Sequence, residues 1–415
     1  MKILFINKYD ITGGAGVAAF RLNRALEKNY NTDNLFLVGI KKSNYANIIP
    51  TRNPGFQNLA ERGLNFIFNE IGMQYKFHPF STKTIIKVTK SFSPDVISLH
   101  NAHGGYFQTS LLIELSKYAP IVWTLHDMWA FTANAAHTFG DNSWKEMKSG
   151  RDEKKLFPQI GVNTGDWLLR EKKKIYSSSN ITIVSPSKWL FDLACQSPVF
   201  EGKSIIQIPN GIDLDVFSQK DKISVRNTLE IPSNAKILIF SAEKVLSGNY
   251  KGGSDLITIL KNLDSILNQK VHLIIVGESN INILYKFKNF VIHELGYIYN
   301  EEDMTKYLSA ADVFIYPTKA DNLPNALIEA SACGVPSVTY DVGGCNEIVR
   351  DQYNGIVIPS GNNKMFVSAV KNLLENNELR NKYSLNTLKT VEERFSIVDM
   401  AKKYYKLFEN LGKNA

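Results

Sequence analysis

The sequence predicts an α/β protein built of two doubly wound domains with mostly parallel sheets. Three observations predict it. The chain has 415 residues, too many for one core and suited to two domains of about 200 residues. Short apolar runs alternate with amphipathic helical stretches, the pattern of repeated β–α–β units. The alternation comes in two series, separated by Pro209-Asn210-Gly211-Ile212-Asp213, where Pro, Asn and Gly together punctuate the chain.

The first series opens with an apolar strand at Lys2–Ile6, a loop over Asn7–Gly13, and a helix from Gly14 to about Lys28. Buried strands follow at Asp95–Leu99, Ile121–Leu125 and Ile181–Ser185. A polar stretch of little periodicity runs from the punctuation to about Ala235. The second series has strands at Lys236–Ser241, Val271–Val276, Val313–Tyr316 and Val335–Thr339, with amphipathic helices such as Ser254–Leu267 and Asp303–Ala310. Residues 396–412 read as a terminal helix with Met400, Tyr404, Leu407 and Phe408 on one face. The expected organisation is therefore domain 1–209, domain 210–395, and a terminal helix in 396–415 that packs back on the first domain. Doubly wound sheets hold ligands beyond the carboxyl ends of their strands, which places the expected ligand in a cleft between the domains.

Composition narrows the class. Hydrophobic residues make up 44% and charged residues 21%, which excludes a disordered chain, a collagen and a disulfide-stapled miniprotein. No apolar run approaches the ~20 residues of a membrane helix. The opening MKILFINKYD lacks the apolar core and cleavage site of a signal peptide. Cys195, Cys333 and Cys345 form no metal-ligand or paired pattern, so a reducing cytoplasm is the expected compartment. The net charge of +8 is uneven. Residues 1–210 carry 25 Lys and Arg against 16 Asp and Glu, and residues 211–415 carry 23 against 24. An anionic partner for the first half, nucleic acid or membrane, is open on charge alone.

The most informative segment is 312–348, which reads strand, polar loop, helix, strand and Gly-rich turn. Asp321 stands in the loop and Glu329 in the helix, eight residues on. An acid among Ala326, Leu327, Ala330 and Ala332 needs a partner, and a sugar hydroxyl or ribose diol supplies one. Lys251-Gly252-Gly253 precedes a helix, where a cation and backbone N–H groups together suit a diphosphate. Gly13, Gly14 and Gly16 stand between the first strand and its helix, where backbone can approach a phosphate closely. They do not make the G-x-G-x-x-G dinucleotide pattern. His126 and Asp127 follow a buried strand, at the end where such sheets keep ligands.

Segment 312–348 resembles the E-x7-E signature of retaining glycosyltransferases with the GT-B fold, glycosyltransferase group 1. The resemblance implies two Rossmann-like domains facing across a cleft. It implies that Asp321 and the loop Asn322, Leu323, Pro324 and Asn325 meet the donor hexose, and that Glu329 holds the nucleotide ribose. Asp at the first acid position departs from the pattern and has the shorter reach. Lys251 corresponds to a lysine that binds the donor pyrophosphate. The Arg that often precedes it is missing, with Lys244 nearest in place. Gly14 and Gly16 would face the donor phosphates, and Gly13, Asp127 and Ser187 the acceptor side. His126, in TLHDMW, resembles a donor-contacting histidine. Close relatives carry several cysteines after the His-Asp pair. Residues 137–160 have none, so no structural metal is expected there.

The expectation is a retaining, metal-independent hexosyltransferase with no cofactor beyond its nucleotide-sugar substrate. Its acceptor would be an oligosaccharide or lipid-linked glycan of bacterial surface polysaccharide, such as O-antigen or capsule. It would be cytoplasmic, or peripheral on the inner face of the membrane. Trp167, Leu168, Leu169 and Lys172–Lys174 are the expected contact with an anionic surface. Asp213-Leu214-Asp215 mimics a metal-binding Asp-x-Asp but lies in a turn. No nucleic-acid motif accompanies the lysines. The alternatives are a GT-B phosphorylase or nucleotide-sugar epimerase, and a non-catalytic sugar-nucleotide-binding protein.

Overall fold

A computed structural model describes residues 1–150, 154–244, 250–278 and 286–413. Its contacts divide the chain into two compact units, Met1–Pro209 with Val398–Ala415, and Asn210–Ile397.

The first unit runs β1 (Lys2–Tyr9), α1 (Gly13–Tyr30), β2 (Asp33–Ile40), β3 (Ile48–Pro50), α2 (Phe56–Glu70), α3 (Pro79–Phe92), β4 (Val96–Leu99), α4 (Leu111–Leu115), β5 (Ile121–Thr124), α5 (Gly165–Ser177), β6 (Ile181–Ser185), α6 (Lys188–Ala194) and β7 (Ile205–Gln207). Its seven strands form a parallel sheet in the order β3-β2-β1-β4-β5-β6-β7. Both faces of the central strands are buried, which explains their unbroken apolar runs. β1 reaches Tyr9 rather than ending at Ile6, because its parallel pairing with β2 continues to Tyr9 opposite Ile40. The short edge strands β3 and β7 have three residues each and no periodic signature of their own.

The second unit runs α7 (Lys222–Thr228), β8 (Lys236–Lys244), α8 (Gly253–Ile266), β9 (Val271–Glu278), β10 (Phe290–Glu294), α9 (Glu301–Ala310), β11 (Val313–Tyr316), α10 (Asn325–Ala332), β12 (Ser337–Tyr340), α11 (Cys345–Ile348), β13 (Gly355–Ile358), α12 (Asn363–Glu375) and α13 (Asn377–Arg394). Its six-stranded parallel sheet has the order β10-β9-β8-β11-β12-β13. α7 occupies what reads as an unpatterned stretch. Asp221 caps it through the Ser224 N–H at 2.9 Å. Its buried Arg226 pairs with Asp312 at 2.9 Å.

A last helix, α14 (Ile397–Gly412), ends the chain. Val398 onwards belongs to the first unit. Met400, Ala401, Tyr404 and Phe408 are buried on one stripe. Tyr404 hydrogen-bonds Thr124 through the two hydroxyls at 2.9 Å, and Tyr405 stacks on Tyr30 at 4.1 Å. No helix among the described residues is long and apolar enough to cross a membrane.

The lysine run on α5 differs from the expectation. Lys172 is buried, and its ammonium donates to the carbonyls of Trp129, Thr132 and Ala133 at 2.5, 3.0 and 3.1 Å. It also lies 3.9 Å from the centre of the Trp129 ring. Leu168 and Leu169 are core residues, and Lys173 pairs with Glu201 at 2.7 Å. A buried cation needs such partners, and a lysine with them cannot also serve as surface charge. The sequence shows three adjacent lysines, but helical geometry points them to different sides.

Candidate functional site

In the second unit the candidate residues are held by backbone. Gly252 precedes α8 with φ 73°, and a Cβ there would fall 1.7 Å from the Pro317 carbonyl oxygen. Glycine alone permits that approach. The Tyr250 carbonyl then accepts from the Lys319 N–H at 2.7 Å and the Thr318 hydroxyl at 2.9 Å. The start of α8 is thereby fastened to the loop after β11. The Gly-rich turn after β12 closes on the same loop. Gly343 has φ 55°, its missing Cβ would lie 1.6 Å from the Asp321 carbonyl oxygen, and the Gly344 N–H donates to the Asn322 carbonyl at 2.7 Å.

Within this frame Asp321 is a junction. Its carboxylate accepts from Lys251 Nζ at 2.8 Å, the Tyr316 hydroxyl at 2.7 Å and the Asn322 N–H at 2.9 Å. The loop Asn322, Leu323 and Pro324 is buried. Asn325 accepts from Asn210 Nδ2 at 3.0 Å. α10 buries Leu327, Ile328, Ala330, Ser331 and Ala332, and leaves Asn325 and Glu329 half-buried one turn apart on its other face. Glu329 therefore sits beside the apolar core rather than in it. Lys244 ends β8, and its side chain lies outside the described residues.

In the first unit the candidates are held by side chains. His126 and Asp127 follow β5, and the structure adds partners from the end of the neighbouring β4. His126 Nε2 lies 3.0 Å from His100 Nδ1, and His100 Nε2 lies 3.2 Å from Ser98 Oγ. The His100 and His126 rings stack at 5.3 Å. Asp127 pairs with His103 Nε2 at 2.7 Å and accepts from the Trp129 N–H at 2.9 Å. At the end of β1, the Asn7 side-chain carbonyl accepts from the Asn101 N–H at 3.0 Å. A small pocket is lined by His100, Asn101, His103, His126, Asp127 and Trp129, among others.

Burial sets the charge states. It drives His126 down to about 4, with the Asp127 carboxylate opposing and His103 adding to the shift. Burial, then His126, puts His100 well below its ordinary value. Burial alone would raise Asp127. The charge and hydrogen bond of His103, with His137 and the Trp129 amide, outweigh it and hold the carboxyl below the usual range. Two neutral imidazoles thus stand beside one ionised carboxylate near neutral pH.

The remaining candidates are placed as follows. Gly13, with φ 69°, opens α1. A Cβ on Gly14 would meet open space, whereas one on Gly16 would fall 3.3 Å from the Asp10 carbonyl oxygen. Ser187 is buried and caps α6, its hydroxyl accepting from the Leu190 N–H at 3.0 Å. It does not line the His126 pocket. Asp213 accepts from the Asp215 N–H at 3.0 Å, an Asx turn. Among the described residues no three His, Cys, Asp or Glu side chains are grouped to hold a metal ion. Sequence reasoning missed His100 and His103. The signal was available: both follow a buried strand, the rule that singles out His126.

Two family models match the chain: glycosyl transferase 4-like over residues 28–143, and glycosyl transferases group 1 over residues 221–390. Among relatives, WcaC of Escherichia coli, a glycosyl transferase named for colanic acid biosynthesis, is 24% identical over 84% of this chain and 85% of its own. Two others match over shorter stretches. A glycosyltransferase of Methanocaldococcus jannaschii is 29% identical over 39% of this chain and 43% of its own. An N,N'-diacetylbacillosaminyl-diphospho-undecaprenol alpha-1,3-N-acetylgalactosaminyltransferase of Campylobacter jejuni is 28% identical over 36% of this chain and 40% of its own. Among solved structures, sucrose-phosphate synthase of Thermosynechococcus elongatus superposes with a TM-score of 0.71 at 15% identity, covering all of both chains. HepE of Anabaena, in complex with UDP and glucose, does so with 0.68 at 16%, over 99% of this chain and all of its own. Both halves thus match glycosyltransferase families, the second as glycosyltransferases group 1, and the two parallel α/β sheets are those of the GT-B fold.

Proposed function

We propose that this chain is a retaining glycosyltransferase moving a hexose from a nucleotide-diphosphate sugar to a lipid-linked glycan in bacterial surface polysaccharide synthesis, at the inner face of a membrane. The observation that carries the reading is the second-unit frame. The start of α8 and the Gly-rich turn after β12 close on the loop after β11 through approaches only glycine permits, Lys251 pairs with Asp321 in that loop, and Glu329 follows on α10. A cation and the amides at a helix start suit a diphosphate. An acid one turn past the loop suits the two hydroxyls of a ribose. HepE holding UDP and glucose supports a nucleotide-sugar donor, and the undecaprenol-linked relative supports a lipid-linked acceptor.

In this mechanism Lys251 and the backbone N–H groups stabilise the charge that develops on the leaving diphosphate. Asp321 orients Lys251 and fixes the loop against which the sugar rests. His126, being neutral, contacts the sugar without placing a positive charge beside the cationic anomeric centre. The donor's own phosphate oxygen takes the acceptor proton on the face from which the nucleotide departs. No metal takes part in this scheme. The test is a panel of nucleotide-sugars incubated with and without lipid-linked acceptors, with and without EDTA. Acceptor-dependent release of nucleoside diphosphate and a product retaining the donor's anomeric configuration are expected. Release of sugar phosphate, or an inverted product, overturns the reading.

A further inference from the structure

α2 is built inside out. The one fully buried residue among its fifteen is a glutamate, Glu61. Glu61 accepts from Arg52 Nη1 at 2.6 Å, the Ser81 N–H at 2.8 Å and the Ser81 hydroxyl at 2.6 Å, and Arg52 donates on to the Gly105 carbonyl at 2.6 Å. A polar anchor therefore fixes the helix to its domain. Its outer face carries Phe56, Leu59, Phe66 and Ile67, which are 79, 70, 65 and 56% exposed. These positions recur at helical spacing, one stripe along the helix.

The stripe continues past the helix. Ile71 is 48% exposed. The loop 161–164 is fastened to the end of α2 by Gly161 N–H to the Asn69 carbonyl at 2.9 Å and Thr164 to the Gly72 carbonyl. This fastening brings up exposed Val162, and Trp167 follows at the start of α5 under the Lys76 ammonium at 4.6 Å. A helix of a water-facing surface puts such residues inward. This one spends its inward side on an ion pair and presents its apolar side to the surroundings.

We infer that the outer face of α2 docks on an anionic lipid bilayer. Charge selects this occupant. Residues 41–90 carry eight Lys and Arg against two Glu, in a chain whose net charge is +8. Arg62 on α2, and Lys83 and Lys87 on the adjacent α3, are exposed. Aromatic and aliphatic side chains entering the headgroup boundary, with basic residues around them, are what an interfacial helix requires. A second copy of the same surface would oppose like charge to like charge. This surface supplies the membrane contact that the proposed lipid-linked acceptor calls for, and it replaces Lys172–Lys174 in that role.

The test is co-sedimentation of the whole chain with vesicles of phosphatidylglycerol and phosphatidylcholine, and of phosphatidylcholine alone. Binding to the anionic vesicles, weakened by salt, is expected. Phe66→Asp with Ile67→Asp should lower the partition coefficient at least ~tenfold, with an unchanged melting temperature because both side chains are exposed. Leu59→Asp, two turns earlier on the same face, should give the same direction of loss and serves if the double variant is unstable. Equal sedimentation of wild type and variants, or no binding of wild type to anionic vesicles, overturns the assignment. So does a dimer in vesicle-free solution that the same substitutions abolish. Vesicle binding needs neither donor nor turnover, so its failure leaves the transferase reading standing.

Discussion

The two units hold their candidate residues by opposite means. In the second, backbone meets backbone: Gly252 against Pro317, Gly343 against Asp321, and the side chains ride on that frame. In the first, side chains do the holding: His100 on His126, His103 on Asp127, and the Asn7 side chain on the Asn101 N–H, from the ends of β1, β4 and β5. A backbone frame tolerates no added atom but is indifferent to pH. A network of imidazoles tolerates small changes of shape but depends on every proton. The two should therefore fail under different insults.

The largest expected effect is steric. Gly252→Ala would set a Cβ 1.7 Å from the Pro317 carbonyl oxygen at a positive φ. The backbone must move, at a cost on the order of 4 kcal/mol or more. Urea unfolding should show the loss. A midpoint within error of wild type would mean that α8 does not approach the β11 loop so closely.

The next effect belongs to the first unit. Free histidine titrates near 6.5, and His126 is held near 4. Above pH 6.5 both folded and unfolded chains are neutral there. Below it the unfolded chain takes the proton first, so stability is lost as pH falls from about 6.5 towards 4. For a shift of this size the loss is on the order of 3 kcal/mol. His126→Gln should reduce the slope of unfolding free energy against pH over that window. An unchanged slope would show that His126 titrates freely. Gly252→Ala should leave the slope alone, which sharpens the contrast between the units.

Glu329→Ala addresses function in the backbone-held unit. Glu329 is half-buried on the face of α10 that the core does not use, so stability should change little. Loss of a charged hydrogen-bond partner should weaken nucleotide-sugar binding by about 1.5–3 kcal/mol. Calorimetric titration of the folded variant checks it, and unchanged donor affinity removes the ribose role.

The same contrast explains what could be read from the sequence. The parallel α/β class, the two series of strands and the 312–348 segment were legible because burial on both sheet faces and close backbone approach leave local marks: apolar runs and glycines. His100 and His126 each follow a buried strand, but their pairing left no local mark, since the two are 26 residues apart and meet only when β4 lies beside β5. β3 and β7 are too short for a period and exist by pairing alone. α2 was opaque for another reason. Its apolar stripe reads as a core-facing helix, and only the Arg52–Glu61 anchor reveals which side faces in. Lys172 misled in the opposite sense, because a run of like charges hides that one member turns inward.

The smallest expected effect separates a fastening from a functional group in the first unit. The family resemblance implies Ser187 on the acceptor side, yet its hydroxyl accepts from the Leu190 N–H and caps the seven-residue α6. An uncapped N–H at a helix start costs about 1 kcal/mol when Ser is replaced by Ala. Ser187 is fully buried, so water cannot readily take over the bond, which favours the upper part of the usual 0.5–2 kcal/mol range. Ser187→Ala should therefore lower the unfolding free energy by that amount while leaving KM for the acceptor unchanged. Ser187→Asn, whose side chain can also cap, should recover part of the stability if the site accommodates its extra volume. A variant with wild-type stability and a raised acceptor KM would reverse the assignment, and would place a functional hydroxyl where the structure shows a cap.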